Sequence, residues 1–336
     1  MNQAVYSKET LFSLKECQDI IENELEQLNF FTDKEPDLLY KPVRYILSIG
    51  GKRVRPSLVL LACNIFNNSL VSALKPALAI ELFHNFTLLH DDIMDRSPLR
   101  RGNPTVHKVW NENVGILSGD AMSILAYDLL VETDIDYLKT VLQIFNKLAI
   151  EVCEGQQYDM DFETMEKVSI ENYLKMIELK TSVLIAGSLQ IGAIVGGASE
   201  SDANNLFEFG RNIGLAFQIQ DDYLDVYGDP DKFQKFIGGD IVANKQTILM
   251  LRAKELASAE QLDLLNSVPV DPDLADLQKV KLVRDIYNSL DINNYSQDLI
   301  KTYFDSATYF LSKVAVAENR KSELKEFTNQ LFHRKY

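Results

Sequence analysis

Residues Leu88–Gly102 read LLHDDIMDRSPLRRG, with three aspartates inside five positions and then three arginines inside six. Apolar residues at helical spacing lead into the stretch through Lys75–Met94, so the aspartates close an apolar helix. Each helical residue turns by about 100°. Asp91 and Asp95 therefore share one face, Asp92 points to the side, and His84, two turns earlier, falls on the face of Asp91. Stacked like charges repel and need a counter-charge. Either the arginines supply it as a solvated surface cluster, or both charge types await a metal ion and a polyanion.

The pattern recurs. Residues Phe217–Asp225 read FQIQDDYLD, again two adjacent aspartates, Asp221 and Asp222, with Asp225 four after the first and Gln218 on the same face. The preceding NIGLAFQI is apolar as well. Two such helix ends make a solvated acidic face a poor explanation. They imply two facing helices whose carboxylates bracket a metal–polyphosphate cluster. Oxygen ligands at this spacing suit Mg²⁺, a hard ion that keeps waters and bridges to phosphate oxygens.

The rest of the chain is consistent with a helical enzyme. Its 336 residues are 46% hydrophobic and 25% charged, a globular balance with a sizeable core. A net charge of −15 argues against nucleic acid as a partner. Anionic ligands must be held by local basic clusters. Cys17, Cys63 and Cys153 lie far apart without metal or disulfide spacing, which points to reduced thiols and a cytoplasmic location. The N-terminal residues carry no secretion signal. Ser182–Ala198 is uncharged over 17 residues but holds Gln190 and four glycines, and it reads as a buried core helix without stable membrane insertion.

Helical periods run from a Ser7 N-cap through the first segment. They continue over Pro56–Phe66, Gly115–Glu132, Tyr137–Asp161, Glu171–Gly197, Ser201–Tyr227, Lys245–Ala257, Leu274–Leu290 and Tyr295–Ala317. Alternating strands are missing. The expectation is one all-α domain over 1–336, its motifs within about 45–250 and further helices over 251–336, with the N-terminal helix packed on the outside.

Two basic loops accompany the acidic helices. GGKRVRP, Gly50–Pro56, places Lys52, Arg53 and Arg55 between a glycine pair and a helix-starting proline. Arg100–Arg101–Gly102 forms the second. Arginine grips phosphate oxygens bidentately. Lys180–Thr181, Lys235 and Lys245 are further candidates, and Arg53 taken alone reads as a solvated charge. The arrangement calls for two diphosphate sites, one bridged by metal and one bound by Lys and Arg alone.

GGKRVRP, HDDIMDRSPLRRG, EGQQYDMD, LKT, FQIQDDYLD and GGDIVANKQT resemble, in order and spacing, the trans-type isoprenyl diphosphate synthases, or polyprenyl synthetases. The resemblance implies an isoprenoid-synthase helical bundle with a deep central cavity, usually a homodimer. It implies head-to-tail condensation of isopentenyl diphosphate with an allylic diphosphate. Three Mg²⁺ ions would be held by Asp91, Asp95 and Asp221, supported by Asp92, Asp222 and Asp225. Arg100, Lys180, Thr181, Gln218, Lys235 and Lys245 would contact the allylic substrate, and Lys52, Arg55, His84 and Arg101 isopentenyl diphosphate. Gln156 and Asp159 would line the metal cavity. Where the family usually has Gly before Lys235 the chain has Gln234, a departure that would close the loop there less tightly. The family reaction passes through an allylic cation and needs no dedicated side-chain base, which leaves His90 and His107 as structural or hydrogen-bonding residues. DDYLD argues against a terpene cyclase, and the complete motif set against a regulatory subunit of such a synthase.

In this family, bulky residues before the first aspartate motif floor the pocket for the growing tail. Here these are Phe83, Phe86 and Thr87. One aromatic at the fifth position before Asp91 with a small fourth residue resembles makers of a C20 product, geranylgeranyl diphosphate. A C15 product, farnesyl diphosphate, is the alternative. On the helical wheel Thr87 lies closer to the Asp91 face than Phe86 does.

Overall fold

The computed structural model describes residues 6–28, 34–165, 167–229 and 237–333. Among these, regular structure is helical apart from a two-residue ribbon, Leu99–Arg100 against Asn103–Pro104, and an isolated bridge between Ser7 and Ser69. The chain clusters into two compact units. The first is 1–147 with 187–207 and 313–324, and the second is 148–186 with 208–312 and 325–336.

In the first unit the N-terminal helix starts at Leu14, later than the Ser7 N-cap predicts. Ser13 caps it, and Glu16 returns the bond to the Ser13 N–H at 2.7 Å, forming a capping box. Ser7 instead pairs with Ser69, where the chain is extended. The helix Asp37–Ser48 has no counterpart among the predicted helical periods, because Pro42 lies inside it and reads as a breaker. The helices at Ile248 and Asp276 start three and two positions after the expected ones, whereas those at Val54, Val71, Glu112, Ile135 and Ile292 start two to four positions ahead. Asn111 shows why, since its side chain accepts the Val114 N–H (2.9 Å) and starts the helix Glu112–Leu130 ahead of the predicted Gly115.

The centre of this unit is the helix Val54–Phe66. Leu58, Val59, Leu60, Ala62 and Cys63 are all but inaccessible, so it is apolar all round and surrounded. Arg320 closes its C-terminal end, donating to the carbonyls of Ile65 (2.9 Å) and Asn64. A cation there meets both the orphan carbonyls and the negative end of the helix dipole. The long helix Val71–Met94 packs on it and on Glu112–Leu130.

The run Ile170–Val195 is long and apolar enough to cross a membrane, yet 72% of its most apolar window is buried inside the protein. Its glycines explain this. A Cβ on Gly192 would lie 2.1 Å from the Val59 carbonyl oxygen, so glycine there lets two helix backbones approach closely. The second unit contains the end of the helix Glu200–Tyr227 and the helices Ile248–Leu256, Ala259–Ser267, Asp276–Ser289 and Ile292–Lys313, in the main. Tyr287 and Val283 are wholly buried there.

Replacing Gly192 by Ala should lower stability by about 1–3 kcal/mol through overpacking. The readout is an earlier urea midpoint at unchanged slope. An unchanged midpoint would contradict the close approach.

Candidate active site

The helix Val71–Met94 ends in the first aspartate motif, with the Asp95 N–H closing onto the Asp91 carbonyl at 2.8 Å. Asp92 turns inward and is 2% exposed. Its carboxylate receives Arg100 Nε at 3.0 Å and Nη2 at 2.5 Å. Asp91 stays part-exposed with Arg100 3.6 Å away, and Asp95 is exposed. Arg100 is thus held chiefly by Asp92. Burial raises the Asp92 pKa while Arg100 opposes the rise. Arg101 and Gly102 occupy the ribbon turn with φ of 53° and 77°, the pattern of a type I′ hairpin turn. The Arg101 guanidinium donates to the Gly50 carbonyl and so reaches the first basic loop.

In that loop Lys52 is exposed, whereas Arg55 meets His84 with Nη1 3.1 Å from Nε2. Guanidinium can only donate, so His84 Nε2 accepts and Nδ1 carries the proton. Burial and the arginines Arg55 and Arg101 hold the His84 pKa well below its usual value, which keeps the ring neutral. Burial pulls Arg55 down to about 10, still charged at neutral pH. Arg55 Nε is buried without a partner. An orphaned cationic N–H beside an exposed lysine fits an anionic oxygen. Arg53 departs from its predicted solvated state, being 3% exposed and paired to Glu81 at 2.6 Å and Glu22 at 2.8 Å.

In the second unit, Asp222 repeats the behaviour of Asp92. It is buried, accepting the Tyr173 hydroxyl and, more weakly, the Ile248 N–H at 3.3 Å. Asp221 and Asp225 are part-exposed. The Asp225 carboxylate accepts the Asp240 N–H at 3.0 Å. Burial and the Asp240 charge push Asp222 up to about 7 and Asp225 to about 6. Asp240 also pairs with Lys245 at 3.3 Å. Lys235 and Gln234 lie outside the described residues.

The predicted continuous helix Glu171–Gly197 is interrupted at Glu178–Ser182 by one wider, π-helical turn, a form common at functional sites. Lys180 and Thr181 sit in it. Lys180 pairs with Asp159 at 2.6 Å, and the Thr181 hydroxyl donates to Gln218 at 3.4 Å. Gly155 makes the turn possible, since a Cβ there would lie 2.2 Å from the Lys180 nitrogen. Gln156 Nε2 nearby is buried and unpartnered. Tyr173, Asp240 and Gly155 are additions to the predicted set. Asp240 and Gly155 fall inside quoted motifs, but nothing in the sequence marks Tyr173.

Among the described residues, no three His, Cys, Asp or Glu side chains converge on a metal position by themselves. The exposed and part-exposed carboxylates Asp91, Asp95 and Asp221 offer oxygen donors alone, a set that fits a hard divalent cation. Mg²⁺ in particular is held by one or two carboxylates with substrate phosphates and water completing its shell. His90 bonds the Ile116 carbonyl (3.1 Å), while His107 is buried with neither ring nitrogen partnered.

The aromatic residues upstream of Asp91 form a row. Phe86 meets the His90 ring at 4.8 Å and Phe83 at 5.5 Å, and Phe83 in turn meets Phe145 at 5.1 Å. Thr87 is half-buried and bonds the His84 carbonyl at 2.8 Å.

A model of the polyprenyl synthetase family matches residues 36–287. A geranylgeranyl diphosphate synthase of Methanosarcina mazei is 44% identical over 66% of this chain and 68% of its own length. A geranylfarnesyl diphosphate synthase of Natronomonas pharaonis is 38% identical over 73% and 76%. A crystal structure of a geranylgeranyl pyrophosphate synthase superposes with a TM-score of 0.91 at 42% identity, covering 97% of this chain and 100% of that one.

The two adjacent aspartates of the first motif should separate experimentally. Asp92→Ala leaves the Arg100 guanidinium part-buried without its main partner and should cost about 2–3 kcal/mol in thermal unfolding. Asp91→Ala should leave the melting temperature nearly unchanged yet cut turnover by orders of magnitude. Equal melting of the two variants, or near-normal turnover of Asp91→Ala, would contradict these roles.

Proposed function

The chain belongs to the polyprenyl synthetase family, and from that premise we propose that it makes geranylgeranyl diphosphate by adding isopentenyl diphosphate to allylic diphosphates. It is a short-chain prenyltransferase with an all-α isoprenoid-synthase fold. The observation that carries the substrate assignment is the Arg55–His84 pair, a neutral histidine beside a guanidinium with a buried, unpartnered Nε. Such a pocket favours an anion that brings no metal with it. With Lys52 and Arg101 it is assigned to isopentenyl diphosphate.

Asp91, Asp95 and Asp221 are the assigned holders of magnesium, three ions in all. Magnesium, when bound, supplies the positive charge that stabilises the leaving diphosphate. Asp92 and Asp222 set the motif helices from inside, and Asp225 holds the Asp240 loop. Lys180 and Lys245 take the allylic diphosphate, and so does Lys235. Arg100, tied to Asp92, contacts the same diphosphate. The allylic C–O bond breaks with its electron pair leaving on diphosphate. The Thr181 and Gln218 oxygens face the resulting cation and offset its charge. The isopentenyl double bond then attacks, joining C4 to C1, and a proton passes to the departed diphosphate as the new double bond forms.

The C20 product rests on the names of the relatives and on Phe86 with Thr87. Incubation with Mg²⁺, isopentenyl diphosphate and each of the C5, C10 and C15 allylic diphosphates should give a C20 product by chromatography. A C15 or C25 end product would overturn the length, and failure to elongate any starter would overturn the reaction. In the same assay Thr87→Phe should shorten the product and Phe86→Ala lengthen it. No change in either would remove the row from length control.

A homodimer and a cytoplasmic location complete the proposal. Cys17, Cys63 and Cys153 are free thiols. The helix Glu112–Leu130 exposes Ile116, Leu117 and Ile124, the last 63% accessible. Such a stripe supports a second copy as its cover. Sedimentation equilibrium should give twice the 38.2 kDa chain mass. A monomer at assay concentration would refute it.

A further inference from the structure

Arg53 is the one basic side chain of GGKRVRP that turns away from solvent and substrate. Its backbone is left-handed, with φ of 44°, a conformation that a long side chain rarely adopts and that persists only where the surroundings enforce it. The enforcement comes from three directions. Nη1 meets Glu81 at 2.6 Å, Nε meets Glu22 at 2.8 Å, and Nη2 donates to the Leu47 carbonyl at 2.7 Å. Glu81 is 2% exposed and also accepts from Asn85, so its carboxylate is fixed. It lies three residues before His84 on the same helix. The N-terminal helix adds a fourth point, Gln18 Nε2 donating to the Lys52 carbonyl at 2.7 Å. Gln18 and Glu22, four apart, share one helix face and grip two successive loop residues.

We propose that Arg53, Glu22 and Gln18 are positioning residues that lock the Gly50–Pro56 loop onto the His84 helix and so set the affinity for isopentenyl diphosphate. The proposal rests on the assignment of that substrate to Lys52, Arg55 and His84. Arg53 ties the loop to Glu81, one turn from His84, and Arg55 then reaches His84 at 3.1 Å. Lysine would not reproduce Arg53, because its three donors radiate from one nitrogen, whereas the guanidinium spreads Nε, Nη1 and Nη2 over a fork that reaches Glu22, Glu81 and the Leu47 carbonyl separately. The N-terminal helix is thereby a support of the binding loop and not an external addition.

Glu22 is half-exposed, so Glu22→Ala and Gln18→Ala test the clamp without emptying the core. In the full-length protein without substrate, Glu22→Ala should speed amide hydrogen exchange over Gly50–Arg55 and leave the helix Glu112–Leu130 unchanged. In steady state it should raise KM for isopentenyl diphosphate about fivefold, as coupled neighbours do. KM for the allylic substrate and kcat should stay within about twofold of the parent. Glu22→Gln, which keeps an acceptor for Arg53, should recover part of the loss. Arg53→Met should raise the same KM further, and adding Glu22→Ala to it should change nothing more. Unchanged exchange over the loop overturns the clamp whatever the activity. So does faster exchange with an unmoved isopentenyl KM, or an equal rise in both KM values. Faster loop exchange in a protein whose parent never consumes isopentenyl diphosphate upholds the clamp and refutes the substrate assignment instead.

Discussion

Burial of the Asp92 carboxylate against Arg100 is the constraint from which the arrangement of the first unit's acidic and basic motifs follows. Adjacent helical positions diverge by about 100°, so of two neighbouring aspartates at a helix end only one can face solvent fully. The inward one must find a partner or bear the desolvation of an unpaired charge. Arg100 provides that partner from the ribbon Leu99–Pro104 and thereby fixes the ribbon beside the helix end. Arg101, the next residue, is carried to the Gly50 carbonyl by the same turn. One ion pair thus aligns the acidic helix and both basic loops of that unit.

The second unit solves the same problem with different chemistry. Asp222 is buried against a phenol and a backbone N–H, neutral donors in place of a guanidinium. Neutral donors compensate burial less well than a cation, and this carboxyl is pushed up to about 7 with Asp240 adding to the rise. The doubled DDxxD pattern is therefore repeated in helical geometry but not in electrostatics.

Much of this was legible in the sequence. The shared face of His84, Asp91 and Asp95 follows from the helical period alone, as does the divergence of Asp92 from that face, but that its side is the buried one does not. The glycine-rich run 182–198 reads as core, and the Gly192 approach to Val59 gives the reason. Arg53 was not legible. Its neighbours in sequence are substrate-facing candidates, and only the folded chain brings Glu22, 31 residues away, and Glu81, 28 away, to its guanidinium. Tyr173 was hidden for the same reason, lying 49 residues from Asp222. The π-helical turn Glu178–Ser182 leaves no mark in periodicity, because the run that follows it carries no charge whose face one extra residue could shift.

The sequence by itself determined the all-helical class, the two acidic helix ends, the two basic loops and the chemistry those residue types can perform. These are local matters, governed by periodicity, capping and the donor set of each side chain. The tertiary structure alone decided which charges are internal ties and which remain accessible. That choice depends on burial, and burial depends on partners distant in the chain. Arg100 and Arg53 look alike in sequence to Arg101 and Arg55. They differ because Asp92 and Glu81, withdrawn from water, need a cation close by, and these two arginines are the ones that folding brings to them.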